Sequence, residues 1–300
     1  MRNTKMRYGF LSVIFVLLFS VSMNAAEHGK YGQFSNIYVF GDSLSDNGNF
    51  TKILGPIEQF FQYYYWEGRW SNGPVWVEYL AKEAHSNLIN FAVGTATTGD
   101  TTHGMFYPYV PTVLDQIQSF CDSEVTIPPD SLFIVEGGYN DFIINPFGSP
   151  ESAVDNIMAG VALLKEAGAK QILVVNLIDM GTLPLMKRWG LSAWMSMVTA
   201  EYNNALTGAV SNFAAANPDI PISIGDFYAI GDAQLSMPEK YSLKNVTDES
   251  PNAAQANEQI DYASKHYFFW DFIHPTTRVH EALADFVGKS LKDLAKQITR

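Results

Sequence analysis

Four short blocks carry side chains suited to acyl transfer, and they are spread in order along a chain of 300 residues. The first is Gly41-Asp42-Ser43-Leu44-Ser45-Asp46, a hydroxyl in a short glycine-containing stretch. A serine hydroxyl is a weak nucleophile until a base takes its proton. Near the other end stands Asp271-Phe272-Ile273-His274-Pro275. A carboxylate three residues ahead of an imidazole can fix the ring's tautomer while the far nitrogen faces the hydroxyl. Between them lie Gly94-Thr95-Ala96-Thr97-Thr98-Gly99 and Gly137-Gly138-Tyr139-Asn140-Asp141. Their glycines permit close backbone approach to a substrate, and Asn140 brings an amide donor. Acyl transfer needs donors aimed at the developing oxyanion, each worth about 2.7–4 kcal/mol. Alone, each block has an ordinary reading: Ser43 as a helix cap, the Gly and Asn stretches as turns, His274 as a structural hydrogen-bonding residue. Their joint occurrence in this order is the stronger signal.

Such blocks work only if a scaffold converges them. Runs rich in β-branched and aromatic residues occur at Asn36–Phe40, Leu88–Val93, Leu132–Glu136 and Gln171–Leu177, with a weaker one at Ile220–Ile224. Most are continuous apolar stretches, as expected of strands buried on both faces. Helical spacing marks Pro74–His85, Pro111–Phe120, Pro150–Ala167, Ser192–Ala215 and about Thr276–Ile298. Strand alternating with helix predicts an α/β fold: three layers, α/β/α, around a central parallel sheet of about five strands. In open parallel sheets, ligands bind beyond the carboxyl ends of the strands, which is where the first three blocks fall. A polar segment at about 232–266 interrupts the alternation and is expected to be a surface insertion that tunes access to the site. The aromatic run Phe60–Trp70, with Phe106, Tyr107 and Tyr109, is a candidate acyl pocket or a piece of core.

At the amino end, Arg2, Lys5 and Arg7 precede an apolar run from Phe10 to Val21 and then Asn24-Ala25-Ala26. That order predicts a secretory signal peptide over 1–26, leaving 27–300 as a single domain in the periplasm or outside the cell. The chain has 19 Lys+Arg against 31 Asp+Glu, a formal charge of −12, and loss of the three leading basic residues takes it to −15. A surface this acidic repels phosphate backbones and argues against a nucleic-acid partner. Cys121 is the only cysteine, so no internal disulfide is available. There is neither a His-Glu-x-x-His pattern nor a cysteine cluster, and no metal or other cofactor is expected.

Gly41-Asp42-Ser43, the glycine block after Asn90, Gly138-x-Asn140-Asp141 and Asp271-x-x-His274 together resemble the GDSL, or SGNH, hydrolase family. Arg69-Trp70-Ser71-Asn72-Gly73-Pro74-Val75-Trp76 looks like its bacterial lipase and lysophospholipase branch. The resemblance implies an SGNH-type, flavodoxin-like fold and a carboxylic ester hydrolase. It implies Ser43 as nucleophile, His274 as base and Asp271 as the acid that orients it. The implied oxyanion donors are the N–H of Ser43, the N–H of Gly94 and the Asn140 amide. This chain has Gly94-Thr95 where the branch usually shows Gly-Gly, so Thr95 is the alternative donor. Asp42 and Asp141 are expected to stabilise turns. The implied substrate is a lysophospholipid or related acyl ester, with transient contact to a membrane surface or micelle and no obligate protein partner. A short-chain carboxylesterase, a carbohydrate O-deacetylase and an acyltransferase would use the same site; a secreted binding protein on this fold is the alternative without chemistry.

Overall fold

The computed structural model describes residues 30, 34–54, 64–99, 110–123, 125–251 and 264–298. The signal-peptide reading, residues 60–63 of the aromatic run Phe60–Trp70, and Phe106, Tyr107 and Tyr109 lie outside them.

Five parallel strands form the central sheet: β1 (Asn36–Phe40), β2 (Asn87–Asn90), β3 (Leu132–Val135), β4 (Ile172–Val175) and β5 (Ile222–Gly225), in the order β2-β1-β3-β4-β5. Ile37 stands beside both Leu88 and Leu132, which fixes the register of the three strands that carry the first blocks. Every residue of β3 and β4 is buried, as their unbroken apolar sequences require. The observed order is the flavodoxin-like one, with the switch point at β1 and β3.

The helices, in chain order, are α1 (Asn49–Leu54), α2 (Trp76–Ala84), α3 (Val113–Asp122), α4 (Tyr139–Ile144), α5 (Pro150–Glu166), α6 (Pro184–Trp189), α7 (Ser192–Ala216), α8 (Phe227–Ser236) and α9 (Thr277–Ile298). One layer packs α2 and α8 against α9; the other packs α5 between α3 and α7. Local chemistry sets several starts. Thr112 Oγ1 accepts the Asp115 N–H while the Asp115 carboxylate accepts the Thr112 N–H, a reciprocal cap for α3. Ser149 caps α5 ahead of Pro150, whose fixed φ suits a first turn.

The segment at about 232–266 is not without strand: β6 (Asn245–Glu249) pairs in parallel with β7 (Tyr267–Phe269), making a two-stranded sheet beside the loop that carries Asp271 and His274. Residues 252–263 of that segment lie outside the described residues.

Candidate active site

β1 delivers Ser43. Immediately after Phe40 the chain turns sharply: Asp42 Oδ1 accepts the Leu44 N–H at 3.0 Å, and the Asp42 carbonyl accepts the N–H groups of Ser45 and Asp46 at 3.2 and 3.0 Å. Asp42 therefore holds the turn, as its sequence setting suggests. The Ser43 N–H makes no hydrogen bond with another described residue, and its hydroxyl faces the His274 ring.

His274 and Asp271 come from the loop between β7 and α9. Its base is closed by backbone bonds from Trp270 N to His274 O (2.7 Å) and from Thr276 N to Phe268 O (2.8 Å). Inside it, Asp271 Oδ1 accepts the N–H groups of Ile273 and His274 at 2.7 and 2.6 Å. Asp271 Oδ2 lies 2.8 Å from His274 Nδ1 and accepts the Tyr65 hydroxyl at 2.7 Å. His274 Nε2 is 2.9 Å from Ser43 Oγ. All three residues are buried. Burial pushes the Asp271 carboxyl up, but the His274 ring and the two backbone donors outweigh it and hold the group below its ordinary range. The three present a carboxylate, an oriented imidazole and a hydroxyl in line, an arrangement able to take a proton from an attacking serine.

Asn140 stands in the first turn of α4, just beyond β3. One of its amide hydrogens goes to the Ala96 carbonyl at 2.9 Å, which leaves the other for the cavity it lines with Ser43. Asp141 accepts the N–H and hydroxyl of Thr98, tying the loop after β3 to the loop after β2.

Gly94 is a correction. Its N–H donates to Asp46 Oδ2 at 2.7 Å, and it is Thr95 that lines the cavity beside Ser43 and Asn140. Thr95 adopts φ = 69°, a left-handed conformation that is costly for a β-branched residue and recurs at functional sites. Its N–H makes no hydrogen bond with a described residue. The reason for glycine at 94 lies elsewhere: a Cβ there would sit 2.0 Å from the Trp70 indole nitrogen. Trp70 packs its ring on His274, with centroids 4.9 Å apart.

Sequence reasoning also missed Asp46, which accepts the N–H groups of Gly48, Asn49, Phe50 and Gly94. Burial outweighs these donors and raises its carboxyl to about 6. An acidic residue repeated within a six-residue turn was the available signal. Tyr65 was legible only as one of many aromatics.

A cavity of about 420 Å³ opens at Ser43. Tyr65 and Trp70 from the aromatic run do line it, but most of its wall is aliphatic and aromatic residues from α4, from 178–189 and from 268–273, including Ile144, Ile178, Leu183 and Phe268. Trp189 and Phe272 sit on its rim, 49% and 41% exposed.

Comparison with known proteins places the chain in a family. Residues 37–287 match the family described as GDSL-like Lipase/Acylhydrolase. The thermolabile hemolysin of Vibrio parahaemolyticus is 28% identical over 289 residues, 88% of this chain but 65% of the hemolysin, so the chain spans somewhat less than two thirds of that relative. The phosphatidylcholine-sterol acyltransferase of Aeromonas hydrophila is 28% identical, with 84% of this chain and 88% of that one aligned. Among solved structures, a carbohydrate acetylesterase family member from Sinorhizobium meliloti superposes with a TM-score of 0.51 at 15% identity, over 88% of this chain and all (100%) of that one, a likeness of fold. A match across most of the sheet and through both ends of the site leaves no ambiguity of lineage: the chain belongs to the GDSL-like lipase/acylhydrolase family, a family of ester hydrolases of the esterase and lipase type.

Proposed function

We propose that this chain is an exported serine hydrolase that releases fatty acids from lysophospholipids or related acyl esters. Ser43 Oγ attacks the ester carbonyl as His274 Nε2 takes its proton; Asp271 keeps the proton of Nδ1 in place and stabilises the imidazolium. The oxyanion is met by the N–H of Ser43, the N–H of Thr95 and the free amide hydrogen of Asn140. His274 then protonates the leaving alcohol, and water brought to the acyl-enzyme returns the serine.

The observation that carries the lipid reading is the cavity: the Ser43 and His274 side chains share one wall with a largely apolar volume of about 420 Å³. That is within the ordinary range for small-ligand sites. Each buried methylene contributes about 0.8 kcal/mol, so such a wall favours long acyl chains over acetate. Exposed Trp189 and Phe272 at the rim suit contact with the surface of a micelle or membrane, where amphipathic aromatics are favoured. A sterol or another alcohol reaching the acyl-enzyme would make the same site an acyltransferase, the activity named for the Aeromonas relative.

A fluorophosphonate probe should label the wild type and not Ser43→Ala. The same pair, incubated with lysophosphatidylcholine and with short-chain esters, should show fatty acid release that depends on Ser43. Turnover of short esters with no release from the lysolipid would reject the lipid substrate; labelling that persists in Ser43→Ala would reject the mechanism.

A further inference from the structure

Directly behind the nucleophile lie two buried carboxyl groups that the mechanism does not use. Glu136 follows β3 and is 1% exposed; Asp42 precedes Ser43 and is 0% exposed. Glu136 Oε2 accepts the Asp42 N–H at 3.2 Å and the Ser45 hydroxyl at 3.0 Å, and the Ser45 oxygen accepts the Trp76 indole N–H at 3.0 Å. The Asp42 N–H bond holds the two acids side by side, close enough for the charge of Glu136 to disfavour ionisation of Asp42. Glycine at 41 is what admits this acid: a Cβ there would sit 2.6 Å from Glu136 Oε2.

Among the described residues the surroundings offer little counter-charge: the His274 ring lowers Asp42, but less than burial and Glu136 raise it. From α3, Gln116 spends its amide on the Gly41 N–H and on the Gly41 and Pro111 carbonyls. From α2 comes the neutral Trp76. From α4, the Tyr139 hydroxyl accepts the Ile178 N–H at 2.6 Å; from α7, the Tyr202 hydroxyl donates to Gly137 O at 2.8 Å. His274 lies on the cavity side, beyond Ser43. None of the Lys and Arg ion pairs among the described residues reaches either acid. Asp42 Oδ2 and Glu136 Oε1 are buried, and no N–H or hydroxyl of a described residue donates to either. Two adjacent carboxylates cannot both stay ionised in such a place, and one proton between them removes a charge and supplies the missing donor.

We propose that Asp42 and Glu136 hold a single proton between their carboxyl groups, and that Glu136 thereby positions the turn that presents Ser43. The claim for the turn rests on the reading of Ser43 as the nucleophile; the shared proton does not. Burial and the neighbouring Glu136 hold Asp42 well above the ordinary carboxylate range, and burial raises Glu136 to about 7. With one proton shared, the pair carries one negative charge at neutral pH. Loss of that proton places two charges under the turn, so the nucleophile's geometry fails on the alkaline side.

Glu136→Gln tests this, because its amide replaces the shared proton with a donor that does not titrate while its oxygen still accepts from Asp42 N–H and Ser45. On a short p-nitrophenyl ester, kcat of Glu136→Gln should stay within about threefold of wild type at neutral pH, and the alkaline fall of kcat should move up by at least about one pH unit. Glu136→Leu leaves two buried donors unmet and should lose about tenfold or more at every pH. Independently of activity, wild type and Ser43→Ala at about pH 8, where ordinary carboxyls are ionised, should both show the infrared carbonyl band of a protonated carboxylic acid, and Glu136→Gln should lack it. Superimposable pH profiles for wild type and Glu136→Gln, or full activity in Glu136→Leu, would overturn the positioning role. Absence of the band in wild type would overturn the shared proton. A band that is present while Ser43→Ala still labels with the fluorophosphonate would sink the hydrolase mechanism and, with it, the positioning role, and leave the shared proton standing.

Discussion

Replacing Gly94 by alanine separates two explanations of why glycine stands there. If glycine served only to expose its N–H to substrate, alanine would be nearly harmless, since it keeps the N–H and the backbone φ at 94 is not in the left-handed region. The packing says otherwise. The added Cβ would lie 2.0, 2.6 and 2.9 Å from Nε1, Cε2 and Cζ2 of Trp70. Ordinary contact is about 3.5 Å or more, so the indole must retreat by roughly 1.5 Å. It has little room: its ring is 5.1 Å from Phe50, 5.2 Å from Tyr65 and 4.9 Å from His274, centroid to centroid. Overpacking of this kind costs about 1–3 kcal/mol of stability. A displacement of about 1 Å transmitted to the His274 ring would lower kcat by about a hundredfold. The assay is kcat and KM on a short p-nitrophenyl ester together with Tm, for Gly94→Ala, Trp70→Ala and the double variant. In the Trp70→Ala background the clash is gone, and adding Gly94→Ala should cost less than about threefold. Full activity in Gly94→Ala, or an equal loss in both backgrounds, would refute the steric argument.

Asn140→Ala should lower kcat by about 10²–10³ with little change in KM, because its amide acts on charge that develops in the transition state; an equal loss expressed in KM would contradict that. Ile144→Trp fills the apolar cavity and should cost long-chain esters about tenfold to a hundredfold in kcat/KM, as expected if about two or three methylenes lose their site, while acetate esters are spared. The check is the chain-length series. His280, buried in α9 with its Nδ1 accepting the Trp76 N–H, is pushed by burial and then by His274 down to about 3. The unfolded chain therefore binds a proton near its ordinary 6.5 that the folded chain refuses, and stability drains as pH falls from about 6.5 toward 3. Tm of His280→Gln should fall less than wild type across that interval; parallel slopes would count against it.

Much of the scaffold was legible because burial on both faces leaves a plain signature. Asn36–Phe40 is β1 residue for residue, and the runs Leu132–Glu136 and Gln171–Leu177 contain β3 and β4. The run at 88–93 misled at its end. β2 stops at Asn90, whose side chain donates to Ser45 O and accepts the Ala92 N–H, while Asn49 donates to the carbonyls of Asn90 and Ala92. Those bonds satisfy the outer edge, while on the inner edge Phe91 and Val93 still donate to Val39 O and Gly41 O. The rung that would have extended β2 is lost because the Gly41 N–H goes to Gln116, a residue distant in sequence. Gly94 was misread for the same reason: a missing side chain tells that something comes close, not whether it is a substrate or an indole 24 positions earlier in the chain. The cavity wall was mostly invisible because Ile144, Ile178 and Leu183 have the same composition as core. Glu136 was visible as an acid closing an apolar strand, yet its meaning depended on Asp42 lying next to it.

The turn holding Asp271 and His274 has a consequence of its own. The carboxylate is satisfied chiefly within its own loop, by two amides and the ring it serves, and among the described residues Tyr65 is its one side-chain partner from afar. Acid and base thus travel as one prefabricated unit, hinged on β7 and the entry to α9. Neighbouring walls can be recut for a bulkier or slimmer guest without retuning the dyad, provided only that the unit still comes to rest against the serine.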